Sequence, residues 1–347
     1  MHLVANSALV WAGFCLFILI MLAIDLGVFN RTPKAISYKG AAIWSAVWIG
    51  LAGIFAALLF GPLGRDMFGP LRHLKALEFV TGYLIELSLS VDNLFVFLLI
   101  FSHFKVPPKY QHRVLYWGVL GALVMRILMI LAGTELINRF HWIIYIFGAF
   151  LIYTSVKMFH EQETDIEPEN DPMVRFITRH VPITRHYERR KFFTVANGKR
   201  VGTLLLLVLI VVEVTDLVFA LDSIPAIFGV TTDRFIVYTS NVFAILGLRT
   251  FYFLLAGVVE KFHYLRIGLG LVLGFIGMKM LLPLLVKVLI LAFEAAGFTS
   301  VITYLKLGEN IPIGIALAIV AVVLLASVAA SVIWPRKAPP IPEDTGE

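Results

Sequence analysis

Cysteine occurs once in the chain, as Cys15, so no internal disulfide can form and the residue reads as a packing group within an apolar run. Charge is scarce. Asp, Glu, Lys and Arg make up 15% of the 347 residues, against about 25% in a soluble domain. Hydrophobic residues make up 59%, with a mean hydropathy of +0.88. Such a chain needs lipid as part of its solvent. No glycine-rich stretch ends in Gly-Lys-Ser or Gly-Lys-Thr, which excludes a P-loop nucleotide engine. His160-Glu161 opens like a zinc-protease helix, but Thr164 stands where the second histidine belongs. No nucleophile–histidine pair lies inside the apolar runs. The expectation is therefore not an enzyme.

What is present is a series of apolar runs near the 20 or so residues that a helical span requires. They fall at 8–29, 41–61, 76–101, 114–134, 141–158, 202–229, 235–258, 264–289 and 312–334. The first is long, has no basic residue before it and no small-residue cleavage pattern after it, so it reads as a span rather than a signal peptide. The fold class expected is an all-α polytopic membrane protein of about nine transmembrane helices. The net charge of +6 fits cytoplasmic loops rather than nucleic acid. Arg31, Lys34 and Lys39 mark the first loop, and Lys105, Lys109 and Arg113 the third. The fifth is basic from Arg175 to Arg200, the seventh holds Lys261 and Arg266, and the tail holds Arg336 and Lys337. The alternate loops are poorer, with Arg139, Arg234 and Lys306, although the second carries Arg65, Arg72 and Lys75. The N-terminus is expected outside and the C-terminus in the cytoplasm.

The segment 160–201 is the only sizeable polar piece. It is acidic from Glu161 to Asp171 and basic afterwards, with Pro168 and Pro172 interrupting helix. Asn197-Gly198 predicts a small β-hairpin. The segment reads as a solvated linker, with a regulatory, metal-sensing or partner-binding role as the alternative.

The chain also repeats itself. Val91-Asp92-Asn93 matches Leu221-Asp222-Ser223, and in both cases an acid lies six residues earlier, Glu86 and Asp216. Met125-Arg126 matches Leu248-Arg249, Phe140-His141 matches Phe262-His263, and Lys157-Met158 matches Lys279-Met280. Two copies of three spans must cross the membrane in opposite directions, the inverted repeat common among transporters. The expected organisation is a two-helix segment at 1–75, repeat one at 76–159, the loop at 160–201, repeat two at 202–290, and a last helix with its tail at 291–347.

An acid at the bilayer centre costs roughly 2.5–3.5 kcal/mol. Glu86, Asp92, Glu213, Asp216 and Asp222 must therefore face one another, a cavity or a counter-charge, and Arg126 and Arg249 are the obvious partners. Part of the set can be a static ion-pair lattice, but acids outnumber bases. Glu86, Ser90 and Asn93 share one helical face, and Asp216, Ala220 and Ser223 repeat it. Ser88 with Asp92, and Thr215 with Asp222, form a second face. Straight helices hold Asp92 and Asp222 apart, flanking a central Glu86–Asp216 pair; a break at Pro225 would merge them. The donors are oxygens, including Asn93, Ser223 and Asn241, which suit magnesium, calcium or manganese, with sodium and protons also open.

The runs Thr81–Phe97, Gln111–Val114 through Met125-Arg126, and Glu213–Ala226 resemble the TerC family, and within it the Alx-like branch, over roughly residues 8–290. The resemblance implies export of manganese, or its supply to proteins outside the cytoplasm. It implies an ion path containing Glu86, Asp92, Glu213, Asp216 and Asp222. No permanently bound cofactor is expected, Mn²⁺ being the cargo. The partners expected are the metal ion, the bilayer of the inner membrane, and proteins binding 160–201. The competing reading is a non-transporting scaffold of a tellurite- or stress-resistance complex acting through that loop.

Overall fold

The structure is a computed structural model that describes residues 8–29, 38–160, 172–184, 187–188, 191–196, 199–255, 263–295 and 311–334. The side chains of Asp92 and Arg249 lie outside the described set, although their backbones are helical. So do the acidic half of the loop up to Asp171, Arg31 and Lys34, Asn197-Gly198, Lys261, Phe262, Lys306 and the tail from 335.

Among the described residues the chain is an all-α membrane protein apart from one hairpin. Its helices are α1 (Ala8–Phe29), α2 (Tyr38–Phe60), α3 (Pro62–Phe68), α4 (Arg72–His103), α5 (Pro108–Arg139), α6 (Ile143–His160) and α7 (Pro172–His180). After the strands β1 (Phe193–Ala196) and β2 (Lys199–Gly202) come α8 (Leu204–Phe228), α9 (Arg234–Leu246), α10 (Leu248–Leu255), α11 (His263–Ala295) and α12 (Ile313–Ile333). Among the described residues, six helical stretches are long and apolar enough to cross a membrane: 39–60, 108–139, 143–160, 204–228, 267–291 and 313–333. Every run expected to span coincides with helix, but the seventh is two helices, α9 and α10, that meet at Gly247. Pro225 does not break α8, which continues to Phe228. The proline falls in the last turn, where only one hydrogen bond is lost, and Gly229 N–H closes on the Pro225 carbonyl at 3.0 Å.

Helix α4 is the hub, packing on α2, α8, α9, α10 and α12. Helix α5 packs chiefly on α8 and α9, and α6 chiefly on α11. Lipid offers no hydrophobic drive between helices, so they associate through small residues that let backbones meet. Gly148 and Gly277 face each other across the α6–α11 contact so closely that a Cβ on Gly277 would stand 2.7 Å from the Gly148 carbonyl oxygen. The Ser155 hydroxyl adds a hydrogen bond to the Gly270 carbonyl at 2.7 Å. Beside α4, Phe14, Phe55, Phe79, Phe235, Tyr238 and Phe243 form an aromatic core that ties α1 and α2 to α9.

The described part of the polar segment is not a solvated linker. The hairpin forms with Ala196 opposite Lys199, as Asn197-Gly198 predicts. Pro172 starts α7 rather than ending a helix, consistent with its missing N–H. Val174 and Ile177 of α7 are buried, and the helix packs on α8. The Tyr187 hydroxyl donates to the Phe104 carbonyl at 2.7 Å, where α4 turns into α5. The Arg113 guanidinium lies 4.8 Å from the centre of the Phe192 ring. Lys105 ends α4 in the left-handed region, at φ 49°, while Val106 N–H returns to the Phe101 carbonyl.

Candidate functional site

At the spacing i, i+4, i+7, α4 carries three polar residues on one face, and α8 carries two with an alanine between them. On α4, Glu86, Ser90 and Asn93 are all buried, and Glu86 is 0% exposed. On α8, Asp216, Ala220 and Ser223 are buried likewise. The faces predicted from spacing are thus turned inward.

Between them stands Arg126 of α5, 2% exposed. Its guanidinium forms an ion pair with Glu86. It also reaches Asp216 Oδ1, Ser223 Oγ and Asn241 Oδ1, each at 3.4 Å. One side chain therefore joins four helices, α4, α5, α8 and α9. An arginine suits this seat because its five N–H donors spread in a planar fork. Two carboxylates oppose one guanidinium. Six buried polar atoms of the cluster have no hydrogen-bond partner: both Glu86 carboxylate oxygens, Asp216 Oδ2, Ser90 Oγ, Asn241 Nδ2 and Arg126 Nε. Buried polar groups are normally satisfied, so the cluster has unused capacity for a polar guest.

The remaining predicted residues do not all converge. Glu213, one turn before Asp216, is half-buried and its carboxylate lies against Gly121 of α5, in the space a side chain there would fill. Asp222 points elsewhere: it is only partly buried and accepts a hydrogen bond from Thr154 of α6 at 3.2 Å. It turns away because six residues along a helix rotate a side chain by about 120° from Asp216. Ser88 and Thr215 on the second faces bond to their own helices, at the Leu84 and Val211 carbonyls. Among the described residues no three His, Cys, Asp or Glu side chains form a metal-holding group. A cavity of about 700 Å³ lies apart from the cluster, lined by Trp11, Cys15, Ile130, Asp233, Arg234 and Tyr238 among others.

A second polar group had no prominence in the sequence. Glu78 of α4 is buried and accepts from Lys75 Nζ at 2.8 Å and from Thr231 Oγ1 at 2.5 Å. Lys75 also reaches Asp233, which caps α9, at 3.4 Å. Lys279 of α11 donates to the Gly229 carbonyl at 3.2 Å. The group ties α4 and α11 to the α8–α9 connection. Its only sequence signal is the i, i+3 pairing of Lys75 with Glu78.

The family model for integral membrane proteins of the TerC family matches residues 71–338. The chain belongs to the TerC family. An uncharacterized membrane protein of Myxococcus xanthus, STKORF319, is 47% identical over 329 residues, covering 95% of this chain and 93% of that protein. A protein of Escherichia coli K12 named "Putative membrane-bound redox modulator Alx" is 52% identical over 284 residues, 80% of this chain and 87% of its own. A Rickettsia bellii membrane protein is 41% identical over 269 residues, 78% of this chain and 86% of its own. No solved structure matches. The Arg126 cluster lies wholly inside the part of this TerC protein that the family model covers.

Proposed function

We propose that this TerC protein is a transporter, not an enzyme, and that it exports a hard divalent cation, Mn²⁺ by family resemblance, from the cytoplasm across the inner membrane. The observation that carries the reading is the Arg126 cluster: Glu86 and Asp216, from two different helices, buried together with oxygen donors and unpaired polar atoms. Ionisable groups at membrane depth are expensive and mark ion pathways. An oxygen-only donor set suits Mn²⁺ and excludes sites built on thiolate. Asn93 and Ser223 add neutral oxygens to the path.

The inverted repeat supports the same reading. Exchanging α4 with α8 and α5 with α9 turns the α4–α9 packing into the α8–α5 packing. The two equivalent acids, Glu86 and Asp216, then meet at the repeat interface, where such transporters bind cargo. Helix α9–α10, interrupted at Gly247 just before Arg249, is a discontinuous helix of the kind these proteins use. Placing the basic loops inside puts the N-terminus outside and the C-terminus in the cytoplasm. The Alx relatives are named for redox modulation; with a single cysteine, this chain has no internal dithiol for that chemistry, and metal movement is the simpler route to such an effect.

A second reading, a scaffold that binds partners through 160–201, is favoured by Phe193 and Val195, both more than 60% exposed on one face of β1. Manganese efflux separates the two. Cells making the intact protein should hold less manganese than cells making equal amounts of Glu86→Gln or Asp216→Asn. Equal manganese in all three would overturn the transport reading and leave the scaffold.

A further inference from the structure

The seat of Arg126 is loosely filled. Its guanidinium has an ion pair with Glu86, but its contacts with Asp216, Ser223 and Asn241 are all at 3.4 Å, the long end of hydrogen bonding. Asp216 uses one carboxylate oxygen and leaves the other buried without a hydrogen-bond partner, as are both Glu86 oxygens, Arg126 Nε and Asn241 Nδ2. Arginine and carboxylate usually pair side by side through two N–H bonds; here Asp216 does not. The site is thus loosely filled at both carboxylates, and the guanidinium's contact with Asp216 is long.

Charge adds a constraint. Glu86 and Asp216 bring two carboxylates to one guanidinium. A dication seated between the same carboxylates would stand within a few ångströms of the guanidinium, in a medium that screens poorly. The guanidinium and a dication therefore compete for Asp216.

We infer that Arg126 is a tethered stand-in for the transported cation: it neutralises Glu86 and Asp216 while the site is empty and releases Asp216 when the dication arrives. This rests on the transport reading above. Its consequence is specific. A carrier that has delivered its ion must reorient with the site empty. Arg126 makes that step feasible by covering carboxylates that would otherwise cross bare. Ion-for-ion exchange never passes through the empty state and does not need the arginine.

The test uses the full chain in proteoliposomes and two assays with radioactive Mn²⁺: net flux into manganese-free buffer, and exchange with equal Mn²⁺ on both sides. The Arg126→Gln variant is expected to lose net flux at least tenfold more than it loses exchange. If both activities fall together, or neither falls, Arg126 is not a stand-in. If wild type moves no Mn²⁺ in either assay, it is the transport reading that fails. Arg126→His supplies a charge that can be switched should the glutamine variant not insert. Its net flux should be present near pH 5.5 and lost near pH 8, with exchange at both. Net flux that follows exchange at every pH overturns the inference.

Discussion

Thr154 of α6 donates a hydrogen bond at 3.2 Å to Asp222 of α8, so this acid belongs to the α6–α8 contact and not to the Arg126 cluster. The two acids of α8 should therefore behave differently. Asp216→Asn removes charge from a buried ion pair and is expected to abolish manganese efflux. Asp222→Asn keeps an oxygen for Thr154 and should retain a third or more of the wild-type rate. Efflux rates at matched protein levels decide. Equal loss in both variants would place Asp222 on the ion path after all.

Two glycines give a contrasting pair. The three atoms nearest a Cβ at Gly121 all belong to the carboxylate of Glu213, the free end of a flexible side chain, which can swing aside. Gly121→Ala should leave stability within about 1 kcal/mol, consistent with a surface-like accommodation, while displacing Glu213. If Glu213 serves the path, efflux falls several-fold. A Cβ at Gly277 meets the Gly148 carbonyl at 2.7 Å and the Ile152 backbone nitrogen at 3.1 Å, neither of which can rotate away. Gly277→Ala should cost about 1–3 kcal/mol by overpacking. Thermal unfolding in detergent, read beside efflux, separates the two cases.

These residues show what periodicity can and cannot reveal. Glu86, Ser90 and Asn93, and Asp216 with Ser223, could be placed on inward faces from spacing alone, because 3.6 residues per turn fixes a helical face. That Arg126 would serve as a counter-charge followed from charge economy, but the sequence offered Arg249 as a second one and did not reveal that Arg126 meets both Glu86 and Asp216. That Asp222 would stand on another face also followed from spacing; that Thr154 would be its neighbour there did not, because it depends on tertiary packing. Gly121 and the group around Glu78 were also hidden. A glycine in an apolar run looks like any other until the carboxylate beside it is known, and Thr231 and Lys279 reach their partners only through tertiary packing. The two-residue turn Asn197-Gly198 was legible because its chemistry is local.

Tyr187 ties the polar segment to the turn between α4 and α5 by one hydrogen bond, its hydroxyl donating to the Phe104 carbonyl at 2.7 Å. Tyr187→Phe should destabilise the protein by about 1 kcal/mol. Burial pushes the Tyr187 phenol up to about 12 from its ordinary 10. A pKa raised on folding gives stability that is fully present below the unfolded value, here pH 10, and that is lost as pH rises through the folded value, about 12. The difference between wild type and Tyr187→Phe should therefore be constant from about pH 6 to pH 9. Melting curves across that range check it, and a difference that shrinks toward pH 9 would show that the phenol ionises there.

Glu78 offers a way to ask whether the second polar group is a lock or a relic of packing. Its carboxylate accepts from Lys75 at 2.8 Å and from Thr231 at 2.5 Å, and Lys75 also reaches Asp233. Removing one partner from a buried pair leaves the other charge uncompensated, at a cost of about 3–5 kcal/mol. Glu78→Gln retains an acceptor for Thr231, and Lys75 retains Asp233, so about 1–3 kcal/mol is expected here. If the group does no more than hold α4 to the α8–α9 connection, Glu78→Gln lowers the melting temperature and leaves efflux unchanged at low temperature. If it also holds that end of the bundle closed, the variant should pass Mn²⁺ faster and in both directions. Lys75→Met should then behave alike, since it breaks the same contact from the other side.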